Sequence, residues 1–208
     1  MNRRGPSSGP GSGSGSGSGD GDGLQPASVY YSRFYVGPEP SPTGRTKTLP
    51  VGNVSQLKLA VVSCSNFPAG YFNVYAELAK RTDIDAALHL GDYIYEFGLL
   101  GFGAELAFTV DREAKAPHEL ITLDDYRRRH AQYRTDPDLI AFHAKLPVIA
   151  VWDDHDVADN AWSGGAVNHD PATEGSFAAR RAAAVQAYRE WIPVRMPDPS
   201  NPLKIYRS

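Results

Sequence analysis

The chain has 208 residues, 41% of them hydrophobic, which allows one domain with appendages and enough apolar side chain for a core. A formal net charge of −3 offers no basic surface to nucleic acid or an anionic membrane, and no apolar run approaches the ~20 residues of a membrane span. The single cysteine, Cys64, excludes an intrachain disulfide.

In chain order, residues 1–28 read as a disordered Gly/Ser-rich tail. Its glycines and serines have almost nothing to bury, so burial cannot offset the entropy of ordering them. Arg3-Arg4 opens like a twin-arginine export signal. No apolar stretch follows it, so the pair reads as part of the tail and no export signal is visible. In residues 29–50, the run 29–36 is rich in β-branched and aromatic residues and reads as one strand. Residues 37–42, with Pro38, Pro40 and Pro42, read as a loop, and 44–49 as a second short strand. Two strands make no stable sheet alone. The segment is expected to be the remnant of a β domain or an edge hairpin laid on the main unit.

The main unit is expected over 57–208. The apolar run 57–62 reads as a strand covered on both faces. Phe72, Tyr75, Ala76 and Ala79 recur at helical spacing over 72–81, and 85–90 is the next strand. Together they make a βαβ unit. Residues 97–119, with Gly98, Gly101 and Gly103, read as a long loop of the kind that lines a site. A helix over 123–134 has Thr122 as N-cap and Asp124-Asp125 in its first turn. Pro137 starts a helix to about Lys145. Residues 148–151 form a strand, 176–191 a helix stopped by Pro193, and 203–206 a last strand.

Three polar groups follow three of these strands: Ser63-Cys64-Ser65-Asn66, Asp92 with Tyr95 after Gly91, and Asp153-Asp154-His155-Asp156. In open α/β sheets ligands bind beyond the strand C-termini, so the groups are expected to share one crevice. Asp92 has two oxygens and can bridge two cations. Tyr95 as phenolate and Cys64 as thiolate favour a redox metal such as ferric iron over magnesium. Asp154 offers oxygen to a harder second ion such as calcium or zinc. His155 is placed to protonate a leaving oxygen or hold a substrate oxyanion. Its acidic neighbours favour the imidazolium. Each residue also has a plain reading: Cys64 as a small buried hydrophobe, Asp92 as a turn residue, Tyr95 as packing, and His89 as a satisfied core histidine. Arg127, Arg128, Arg129, His130 and Arg134 read as a solvated helix face, and Arg180-Arg181 likewise.

These groups resemble a known pattern. Ser63-Cys64-Ser65-Asn66, Gly91 to Glu96, and Trp152 to Asp156 with Asn160 and Trp162 are similar to the motifs of the PhoD-like alkaline phosphatase family, within the calcineurin-like metallophosphatases. Asp125-Tyr126-Arg127, the run 130–134 and Asn168-His169-Asp170 extend the likeness. The resemblance implies an α/β fold: a partial αββα sandwich with a mixed central sheet. It implies hydrolysis of phosphate mono- or diesters with ferric iron and calcium, other divalent metals being an alternative, and an extracytoplasmic setting. Cys64, Asp92 and Tyr95 correspond to the family's iron-side motif. Asp154 stands where asparagine is usual, and Asn160 is the alternative ligand for the second ion. No substrate-binding residue is assigned. The family runs on past Ser208 to Gly-Asp-x-His ligands without counterpart here, so the chain is expected to be truncated at both ends. The competing expectation is an inactive remnant that at most binds metal or a partner.

Overall fold

The computed structural model describes residues 23–195 and 197–205. The Gly/Ser run up to residue 22, with Arg3-Arg4, and Tyr206 of the last expected strand lie outside the described residues. Residues 203–205 form a turn and an irregular end rather than a strand.

Two antiparallel ladders open the described chain. β1 (Val29–Ser32) pairs with β4 (Gly44–Lys47), and β2 (Tyr35–Val36) with β3 (Glu39–Pro40). The run read as one strand therefore breaks at Arg33-Phe34, and the expected loop holds β3. The break lets the chain fold back twice: Ser41 N–H donates to Phe34 O, and Phe34 N–H to Ser41 Oγ at 3.0 Å. β4 packs against the main unit, and Lys47 Nζ lies 2.8 Å from Asp85 Oδ1.

The central sheet is β5 (Leu59–Val62), β6 (Ala86–His89) and β7 (Val148–Ala150), in that order and parallel throughout. Parallel neighbours need long crossovers. The first runs through α1 (Asn73–Lys80), the second through the long loop, α2 (Leu123–Tyr133) and α3 (Pro137–Lys145). Thr122 caps α2 in a reciprocal box with Asp125, and Asp136 caps α3 through the N–H groups of Asp138 and Leu139. A short α4 (Pro171–Glu174), absent from the sequence reading, precedes α5 (Phe177–Trp191), which packs on α2.

Among the described residues, one face of the sheet is covered and the other is not. Ala60, Ala87, His89 and Ala150 are buried with Tyr75, Phe142 and Tyr133. On the other face Leu59, Val61, Leu90, Ile149 and Val151 are exposed, Val61 at 60%. Among the described residues β5 is not covered on both faces, because a continuous apolar run records how hydrophobic a strand is and not what lies against it; a partial sandwich is expected to leave one sheet face open. The solvated basic face holds for Arg127 and Arg128 and fails for Arg129, which is buried, its guanidinium donating to the carbonyls of Tyr95, Phe97 and Lys115. His130 is wholly buried and stacks on Trp191. Arg180 is buried too, against Tyr126 Oη, Asn168 O, Glu174 and Glu119. The long loop, irregular as expected, is pinned by Arg112, which donates to Phe67 O and Asp136 Oδ2, both at 2.8 Å.

Candidate metal centre

Because the three strands are parallel, their C-terminal ends lie on one edge, and the loops leaving them meet there. The first two loops are zipped together: Cys64 N–H donates to Gly91 O and Ser65 N–H to Asp92 O. The third is pressed against Gly91, which takes φ +106°, and a Cβ there would sit 2.3 Å from Asp153 N. Glycine is required at that position by both conformation and space.

Asp92, Asp154 and His155 each offer a ligand atom, and these atoms lie within 4.8 Å of one another. Tyr95 Oη donates to Asp92 Oδ2 at 3.1 Å, and Cys64, though not part of the Asp92–Asp154–His155 group, is near enough to act electrostatically on both. Cys64 is exposed, so its reading as a buried hydrophobe is set aside. Asn160 is different: its backbone N–H donates to Asp154 Oδ2 at 2.6 Å and its carboxamide Nδ2 to Asp159 Oδ1 at 2.9 Å. His89 is a core residue, bonded to Tyr75 Oη at 3.0 Å.

Several features fit a cation. Asp92 Oδ1 is buried with no hydrogen-bond partner, although buried polar atoms are nearly always paired. Burial, offset by His155 and reinforced by Asp154, pushes the Asp92 carboxyl above the usual carboxylate range. Burial, with the Asp92 charge and Cys64, pushes the Tyr95 phenol up as well. Positive charge at this point would relieve both. Cys64, Asp92 and Asn160 have φ of 60°, 52° and 50°, three of the six described non-glycine residues in the left-handed region. Such backbone costs of order 1 kcal/mol or more per residue and gathers at functional sites.

The residue that sequence reasoning missed is Glu96. It is fully buried and accepts three hydrogen bonds: His155 Nδ1 at 2.9 Å, Asp159 N–H at 2.7 Å and Asn168 Nδ2 at 2.6 Å. Burial alone would lower the His155 pKa. The Glu96 hydrogen bond and charge, with Asp154 and Asp92 behind it, outweigh that and set it at about 9. Asp156, expected among the acids facing His155, is buried, accepting from the N–H groups of Tyr93, Ile94 and Asp153. With Nδ1 engaged, Nε2 is the ring nitrogen left for a ligand. The ring also stacks on Tyr95, centroids 4.4 Å apart.

A parallel sheet that gathers carboxylates, a thiol, a phenol and an imidazolium on its loop edge defines a class, the α/β metallophosphatase fold. A solved chain titled "Structure of PhoD" has the same fold, with a TM-score of 0.75, 42% identity, and coverage of 89% of this chain and 35% of that one. The chain belongs to the PhoD-like phosphatase family, whose model matches residues 59–208. It is 43% identical to alkaline phosphatase D of Bacillus subtilis (strain 168) over 189 residues, 89% of this chain and 31% of that protein. The chain thus spans about a third of the length of these relatives.

Proposed function

We propose that residues 57–208 form part of a metallophosphatase domain, behind a tail (1–28) and a β segment (29–50), and that its site hydrolyses phosphate esters, with metal. Cys64, Asp92 and Tyr95 would hold one ion. Asp92 and Asp154 would approach a second, with Asn160 as the alternative ligand. The thiol and phenol favour ferric iron on the first side and the carboxylate oxygens favour calcium or another hard divalent ion on the second, as the family likeness implies. When bound, the ions would polarise the phosphoryl group and supply the nucleophile from water.

The remaining work falls to the chain's own groups. His155, charged through neutral pH, offers a proton at Nε2 to the leaving oxygen or to a phosphoryl oxygen. Glu96 holds the ring's tautomer and charge from Nδ1, and Tyr95 holds its plane. The observation that carries this reading is the unpartnered Asp92 Oδ1 inside a cluster with Asp154 and His155.

Hydrolysis of p-nitrophenyl phosphate by the full chain should require added metal and fall at least ~100-fold in Asp92→Ala. Equal activity in the variant would end the proposal. The family's activity is that of proteins about three times as long, so a non-catalytic metal binder is the competing reading, and it predicts stoichiometric bound metal without turnover.

A further inference from the structure

Beyond the ligand cluster, four rings form a closed set. His155 and Tyr95 are 4.4 Å apart at their centroids, Tyr95 and Phe102 6.4 Å, Phe102 and Phe97 6.3 Å, and Phe97 and His155 5.3 Å. Tyr95 is buried, and Phe97 and His155 are half-buried. Phe102 is 67% exposed.

A lone exposed phenylalanine needs no explanation, but this one is held in place. Its own carbonyl accepts Asn66 Nδ2 at 2.9 Å. The next residue, Gly103, takes φ +82°, and a Cβ there would meet Asn66 Nδ2 at 2.4 Å. Asn66 lies two residues after Cys64, so the strand-end loop that carries the thiol also fixes the backbone of Phe102. The result is an aromatic wall that starts at His155 and ends in one exposed ring.

We propose that Phe102 is a specificity-determining residue, one that receives the organic group of the phosphate ester and favours a flat aromatic group there. This rests on the phosphoesterase reading of the same site. A phosphoryl group at Asp92, Asp154 and His155 puts the ester oxygen beside the imidazolium. The ester's next atoms then leave the cluster along the wall, past Tyr95, and meet Phe102. An aromatic group can stack there, whereas a small aliphatic group gains little. Ring stacking of this kind amounts to roughly a five- to tenfold preference in binding.

The test is calorimetric titration of the full chain, with ferric iron and calcium present, using phenylphosphonate, methylphosphonate and inorganic phosphate. The wild type should bind phenylphosphonate roughly five- to tenfold more tightly than methylphosphonate. Phe102→Ala should lose that preference while keeping its affinity for inorganic phosphate, and Phe102→Tyr should restore it. An unchanged preference in Phe102→Ala overturns the role of Phe102 and leaves the phosphoesterase reading standing. A wild type that binds none of the three, inorganic phosphate included, overturns both.

Discussion

At the scale of single residues, Asp92 shows a conflict between stability and function. Its carboxylate is buried beside Asp154, and one oxygen has no partner. Asparagine keeps the shape, tolerates φ of 52°, and removes the charge. Metal-free Asp92→Asn should therefore melt a few degrees higher than wild type, the shift expected for about 1 kcal/mol. Metal should stabilise the wild type more and reverse the order. Thermal melts with chelator and with added ions measure both, and a metal-free variant no more stable than wild type would remove the charge-conflict account. Asp92, Asp154 and His155 were legible because each stands in a polar group directly after an apolar strand. Glu96 was not. It ends a run of tyrosines, and nothing local signals that its partners lie at Asp159, His155 and Asn168, some sixty to seventy residues later. The imidazolium was anticipated from the adjacent acids, whereas its main support comes from across the fold.

At the scale of elements, the site depends on three βα loops closing on one another around Gly91. Gly91→Ala adds a methyl group where the Asp153 backbone already stands, in a conformation that alanine avoids. The change should cost roughly 3 kcal/mol or more. A denaturant melt and metal uptake should both report it, and a variant with wild-type stability would show that the loops can part without consequence. The helices and central strands could be read to within one or two residues, since period, caps and prolines are all local signals. β3 and α4, of two and four residues, are too short to leave a period. α2 looked solvated because its arginines are consecutive. They point different ways round the helix: Arg127 and Arg128 pair at the surface with Glu190 and Asp124, and Arg129 turns inward to backbone carbonyls. Charge count alone does not distinguish the two cases.

At the scale of the whole molecule, buried histidines tie stability to pH. Burial lowers His89 to about 4 and, with nearby Arg134 assisting, His130 and His143 to about 3. All three titrate near 6.5 in an unfolded chain. As pH falls through that value the unfolded state takes up three protons that the folded state refuses, so stability is present above about 6.5 and is lost toward about 4. Asp156 opposes one of them. Burial, against its backbone hydrogen bonds, raises it to about 7, so the folded state holds that proton over the same window. For these four groups the net is about two protons, a slope of about 2–3 kcal/mol per pH unit at its steepest, and the raised carboxyls of Asp92 and Glu119 reduce it. Denaturant melts at a series of pH values from about 4.5 to about 7.5 should show the loss. A flat profile would mean that these rings are wetter than the fold implies.

The bare side of the β5–β6–β7 sheet makes protein concentration a variable in every such measurement. Branched aliphatic side chains standing in water along one sheet face will adhere to whatever apolar matter they meet: a detergent tail, a chromatography resin, or another molecule of the same kind. Dilution or a mild surfactant should then change the apparent melting temperature of the protein as surely as any substitution within it.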